Sequence, residues 1–203
     1  MSKKPTPEIK ANINFVLPQL ATGGDLHHDD EKGARQLLDL IEQYVSHMVD
    51  CRLEANDEEF VVELDPDMQY LHIGVDDDGG KMPHSWYEQG TQWIINAIEQ
   101  DPLAVVFVHC HMGVNRGPSM AFAAMLAMGH DPVDAIDKIR SARPVAAVGY
   151  AEDALNWFHV SRDIAFDTRK ANHEALEAWR NDNPHETSRI IRSIRRGEDP
   201  LAD

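Results

Sequence analysis

At 203 residues the chain suits one domain with a full core, and its 35 acidic against 19 basic side chains leave a formal charge of −16. So acidic a chain argues against nucleic acid and acidic membranes as partners, since both attract basic surfaces. No apolar run approaches the roughly 20 residues that span a bilayer, and the opening MSKKPTPEIK carries no signal-peptide core. Two cysteines make no disulfide framework, so a reducing cytoplasm is the expected location.

In chain order, residues 1–10 read as a flexible lead and a strand-turn region follows to about Gly24. The acidic blocks DLHHDDE (25–31) and EANDEE (54–59) read as solvated turns, with His27 and His28 on the surface. Leu37, Leu38, Ile41 and Val45 recur at helical spacing and predict a helix over 31–45. Strands are expected at 47–52, 60–64 and 69–74. Ser85 with Glu88 forms a capping box that opens a helix to about Glu99, its apolar face carrying Trp86, Trp93, Ile94, Ala97 and Ile98. The unbroken apolar run 104–108 suits a central parallel strand covered on both faces. A helix from about Arg116 to Met128 comes next, then one capped by Asp131 with Pro132 in its first turn and ending near Ala142. Further helices fit 150–164, 168–181 and 185–196. The pattern predicts an α/β fold with a single central sheet, mixed but mostly parallel, flanked by helices. The domain spans 11–165 and a helical C-terminal extension spans 166–203.

The chemistry concentrates in AVVFVHCHMGVNRGPS (104–119), where a strand ends in His109 and Cys110 and five residues separate Cys110 from Arg116. A thiol attacks as thiolate, and a free cysteine, with a pKa of about 8.5, is mostly protonated at neutral pH. The partial positive charge of a helix N-terminus favours the thiolate, and the helix expected from Arg116 supplies one. Backbone N–H groups of His111, Met112, Gly113, Val114, Asn115 and Arg116 would close an anion nest around a phosphate, with Gly113 at its sharp turn. Arg116 adds a planar fork that grips two oxygens, which lysine does not match.

This segment resembles the His-Cys-x5-Arg signature of the cysteine-dependent protein tyrosine phosphatases, and most of all their dual-specificity group. YLHIGVDDD (70–78) is similar to that group's strand and acid loop, AIDKIRSARP (135–144) to its helix and Arg-Pro turn, and INFVLPQLATGG, ending at Gly24, to its opening strand and turn. The resemblance covers roughly 12–160. It implies that Cys110 attacks phosphorus to give a phosphocysteine, that Arg116 and the loop amides stabilise the equatorial oxygens, and that His109 supports the loop. The general acid falls on Asp77 by register, with Asp78 the runner-up beside Gly79 and Gly80, and Asp76 a third contender. No cofactor or metal is implied. The eleven histidines show no paired metal-ligand spacing, and His109-Cys110-His111 is contiguous.

One position departs from the signature: Gly117 stands where the family has Ser or Thr, whose hydroxyl assists release of the thiolate. Ser119 lies most of a helical turn further on, so slow hydrolysis of the intermediate is expected, as a burst and then a low steady rate. Cys51 is either core filler or, as in some relatives, a resolving thiol that shields the nucleophile by a disulfide. The expected substrate is a phosphorylated protein, at tyrosine or at serine and threonine. The loop interior holds no lysine or arginine, which disfavours polyphosphoinositides. Asn115 before the arginine resembles an RNA 5′-triphosphatase branch, against which the acidic charge speaks. A catalytically weak phosphate-binding module is the alternative. Met112 and Trp86 are either an apolar rim or core. In HETSRIIRSIRR (185–196), Ile190, Ile191 and Ile194 form an apolar stripe beside a cluster of Arg189, Arg192, Arg195 and Arg196. That helix either packs with solvated arginines or docks an acidic surface.

Overall fold

The computed structural model describes residues 9–202. Five strands, β1 (Ile13–Leu17), β2 (Leu20–Gly23), β3 (His47–Arg52), β4 (Gln69–Val75) and β5 (Val106–His109), form one sheet in the order β1-β2-β5-β3-β4. β1 and β2 are a hairpin and every other pairing is parallel, so the sheet is mixed and mostly parallel. β5 lies at the centre. Along it and the residue on either side, Val105 and Phe107 enter one apolar cluster while Val106, Val108 and Cys110 enter the other, the alternation a pleated strand imposes. That two-sided burial explains why the run carries no polar residue.

The smaller cluster lies under α1 (Asp30–Glu42) and α2 (Glu58–Leu64), which contribute Leu37, Leu40 and Val61. The larger face is covered by α3 (His84–Gln100), α4 (Arg116–Ala127), α5 (Pro132–Ala142) and α6 (Ala151–Ser161). α7 (Phe166–Asp182) joins the same cluster through Leu176, and its Trp179 lies 5.6 Å from the Arg140 guanidinium. α8 (Thr187–Arg196) follows, with Ile190 as its buried residue.

Several sequence expectations are corrected. The strand expected at 60–64 is α2: a short apolar run fits either element, and Glu58 and Glu59 in the first turn favour the helix end they occupy. α3 starts at His84 behind Pro83 with no side-chain cap, so Ser85 and Glu88 form no capping box. In α1 Leu37 is buried as expected, but its partner in the core is Leu40, fully buried, while Leu38 is 59% exposed. Of the expected lead, residues 1–8 lie outside the described residues, whereas Lys10 pairs with Asp39 at 3.0 Å. The Asp131 cap is as expected, its carboxylate accepting from Val133 N and Asp134 N.

Candidate active site

The loop from Cys110 to Arg116 joins the carboxyl end of β5 to the start of α4. Its carbonyls are tied outward one after another. His111 O accepts from Asp25 N at 3.1 Å, and Val114 O accepts from Ala147 N at 2.7 Å. Between them, Met112 O and Gly113 O accept from Arg143 Nη2 and Nε at 2.9 and 2.6 Å. In a trans peptide the N–H of the next residue points opposite to the carbonyl. The N–H groups of Met112, Gly113, Val114 and Asn115 therefore turn to the inner side of the loop, an arrangement suited to an oxyanion. Gly113 has φ 63°, and a Cβ there would collide with the Gly23 backbone and the Arg143 guanidinium.

Arg143 is 3% exposed and completes its bonding with Asn12 Oδ1 and Asn14 Oδ1 at 2.9 and 2.7 Å. All its hydrogen-bond acceptors are neutral. Burial pulls its pKa down to about 10, and the charge at Cys110 works the other way. The Arg-Pro turn noted in the sequence thus ends in the residue that shapes the loop.

Arg116 is 4% exposed and is gripped end-on by Glu54, with Nη1 and Nη2 donating to Oε2 and Oε1 at 2.7 and 2.6 Å. Nη1 also donates to Val75 O at 2.9 Å, while the buried Nε has no hydrogen-bond partner among the described residues. The side edge formed by Nε and Nη2 is therefore the fork left for a bound oxyanion. Burial works to lower the Arg116 pKa, but the Glu54 hydrogen bonds and the charges of Cys110, Glu54 and Asp77 raise it on balance. The Arg116 hydrogen bond chiefly holds the Glu54 carboxyl down at about 2.

Glu54, Asp25 and Asp57 fall in blocks that read from sequence as solvated turns, and the structure corrects this by pairing each with a buried arginine. Buried Arg52 donates to Asp50 at 2.7 Å, Asp57 at 2.7 Å and Asp25 at 3.3 Å, and Asp25 meets His111 Nδ1 at 2.7 Å. This network fixes the segment after β3 that carries Glu54. His27 and His28 stack on each other beside that network, at 4.5 Å.

Of the three aspartates, Asp77 is the one engaged with the loop. Its Oδ1 accepts from Asn115 Nδ2 at 2.6 Å and Tyr150 OH at 2.7 Å, while Oδ2 lies 3.7 Å from Arg116 Nε. Asp78 instead accepts from Gly80 N at 2.7 Å, inside its own turn. The Tyr150 hydroxyl also accepts from Gly79 N at 3.2 Å, and Asn115 Oδ1 accepts from Gly149 N at 2.6 Å. Tyr150 and Asn115 so join the 76–80 loop to the loop at Cys110. Sequence reasoning missed Tyr150 in this role. Asp77, Asp78, Gly79, Cys110, Met112, Val114, Asn115 and Arg116 share one cavity of about 380 Å³, to which α8 adds Thr187, Ile191 and Arg195.

The remaining expected residues divide. His109 is fully buried and stacks on Phe107 at 5.3 Å, with neither ring nitrogen hydrogen-bonded among the described residues. Burial lowers its pKa, so the ring is neutral, and no hydrogen bond from it supports the loop. Cys51 is buried on β3; since Asp50 pairs with His109, it comes next to Cys110 across the sheet, and both thiols enter the same apolar cluster. A Cβ on Gly117 would lie 3.1 Å from the His109 carbonyl carbon and 3.2 Å from Cys110 N, so glycine brings α4 close to Cys110. The buried Ser119 hydroxyl accepts from Tyr150 N at 3.2 Å. Met112 lines the cavity, whereas Trp86 is core, its indole donating to Ile73 O at 2.7 Å.

No family model and no curated protein matches the sequence. Solved structures do match the fold. Human DUSP28 aligns with a TM-score of 0.60 at 19% identity, over 78% of this chain and 98% of that one. PTPMT1 in complex with PI(5)P gives 0.60 at 16% identity, over 76% and 99%. The Yvh1 phosphatase domain from Chaetomium thermophilum gives 0.57 at 21% identity, over 75% and 99%. The sheet order, the loop at the end of β5 and these alignments agree: the chain has the dual-specificity-like fold of the cysteine-dependent phosphatases.

Proposed function

We propose that the protein is a phosphatase that hydrolyses phosphate monoesters through a phosphocysteine. The observation that carries this reading is the convergence of Cys110, Arg116 and Asp77 on one cavity above a loop whose N–H groups turn inward. In the first step the Cys110 thiolate forms an S–P bond as the P–O bond to the leaving group breaks. The free side edge of Arg116 and the loop N–H groups hold the equatorial oxygens. Asp77 gives its proton to the departing oxygen. Because Oδ1 already accepts two hydrogen bonds, Oδ2 is the oxygen that carries this proton. In the second step Asp77 takes a proton from water as the water oxygen attacks phosphorus and the S–P bond breaks. No metal or cofactor enters the cycle.

The substrate reading stays with phosphorylated protein, at tyrosine or at serine and threonine. What supports it is a loop interior of His111, Met112, Gly113, Val114 and Asn115, with no lysine or arginine for a polyphosphorylated headgroup. The neighbour bound to PI(5)P makes a phosphoinositide the comparison substrate. The test is hydrolysis of an aryl phosphate, expected to be vanadate-sensitive, lost in Cys110→Ser, and accompanied by phosphate trapped on Cys110 in rapid-quench mass spectrometry. Binding without turnover in the native protein would replace the enzyme with a phosphate-binding module.

A further inference from the structure

α8 is the last helix among the described residues, and its side chains enter the cavity at Thr187, Ile191 and Arg195. These positions are four residues apart, so they form one stripe along the helix, while Ile190 on the neighbouring flank is 4% exposed and seats it. The decamer TSRIIRSIRR contains four arginines and no acid, in a chain of charge −16. Arg189 is tied to Glu186 and to Ala202 O, and Arg196 lies 3.9 Å from Glu198. Arg195 has no ion-pair partner among the described residues.

Two cations line the cavity, Arg116 and Arg195. Arg116 is committed at its end edge to Glu54 and at its side edge to the scissile phosphate. Asp77 and Asp78 line the same space, and Asp77 is committed to proton transfer. Arg195 is therefore the lining cation with no task in the reaction, and a guanidinium in that place favours an anion beside the reacting phosphate. Resting on the phosphatase reading, we propose that Arg195 makes a second anion subsite. The protein then selects phosphomonoesters whose leaving group carries an additional carboxylate or phosphate, with Ile191 against the apolar part between the two charges. Arg195 is a specificity residue here and takes no part in bond making.

The test uses a pair of aryl phosphates differing by one charge: the phosphate ester of 3-(4-hydroxyphenyl)propanoate and that of its primary amide, whose phenols leave about equally well. The native protein is expected to favour the acid by about tenfold in kcat/KM, mostly through KM, since one charge-assisted contact has that size. Arg195→Ala should bring the ratio near one, Arg195→Lys should keep part of it, and Arg196→Ala should leave it intact. A native ratio at or below one, or a ratio that Arg195→Ala does not change, overturns the subsite while leaving the phosphatase reading in place. If neither ester is hydrolysed, that reading fails. The subsite is then judged by calorimetric binding of the same pair to Cys110→Ser, where equal affinities overturn it.

Discussion

Two loops meet across the cavity that Cys110 lines. The one at Cys110–Arg116 has four successive carbonyls anchored outside itself, a buried guanidinium behind it and a glycine that no other residue replaces without collision. The one at 76–80 is exposed throughout and meets the first loop through the Asp77 side chain. On the proposed mechanism the difference follows from their tasks. An oxyanion site is effective when its dipoles are fixed before the charge arrives, so that none of the binding energy is lost in reorganisation. A proton donor that must also let an alcohol leave and a water enter works from a segment that can open. The link between the two is a pair of hydrogen bonds onto Asp77 Oδ1, from Asn115 and Tyr150.

Variants can separate the two loops, and the largest effect is expected in the exposed one. Asp77→Asn should lose about 10²- to 10⁴-fold in kcat on alkyl phosphates and little on an aryl ester with a good leaving group. Equal losses on both would take Asp77 out of proton transfer. Arg143→Gln should cost roughly 100-fold in kcat/KM whatever the leaving group, because it frees the carbonyls that set the loop. A loss confined to poor leaving groups would show that the anchored loop and the acid loop are not separable. Tyr150→Phe should slow poor leaving groups by about tenfold, the size of one hydrogen bond to a carboxylate, with a smaller effect on good ones.

The smallest effect concerns Glu54, whose carboxyl the Arg116 hydrogen bond holds down at about 2 against an ordinary 4.5. A depressed folded value means that the stabilisation is complete above the unfolded value and fades as pH falls toward the folded one. The Glu54 side chain is half exposed, so solvent screens the gain. Urea midpoints for Glu54→Gln should therefore lie slightly below the native protein at pH 6, and the gap should narrow by pH 3. A gap that widens on acidification would mean that Glu54 does not stabilise Arg116 as a carboxylate.

What was legible in the sequence is local. The run into Cys110, the Asp131-Pro132 cap and the spacing to Arg116 are each written within a few residues, and the structure follows them. Asp77 could be chosen from three neighbours only through the family resemblance, by counting on from Ile73, since it lies beyond β4 and carries no pattern of its own. Glu54 could not, since it meets Arg116 across 62 residues of sequence and looks, in its own neighbourhood, like any acid in a turn. Tyr150 reaches Asp77 across 73 residues, and its sequence neighbours give no sign of a phenol bound for another loop. The misread strand at 60–64 is of another kind: one turn of apolar residues has no period to read.

Arg143 carries a consequence for the protein as a whole. Its charge is buried among carbonyl and amide oxygens, and the negative charge that favours it is the one at Cys110. Filling the loop with an oxyanion, or keeping its sulfur ionised, should therefore hold the fold together, whereas capping the sulfur with a neutral alkyl group should loosen it. Melting temperature then becomes a readout of loop occupancy: vanadate or phosphate raises it, iodoacetamide lowers it, and iodoacetate, which leaves a carboxylate on the sulfur, falls between.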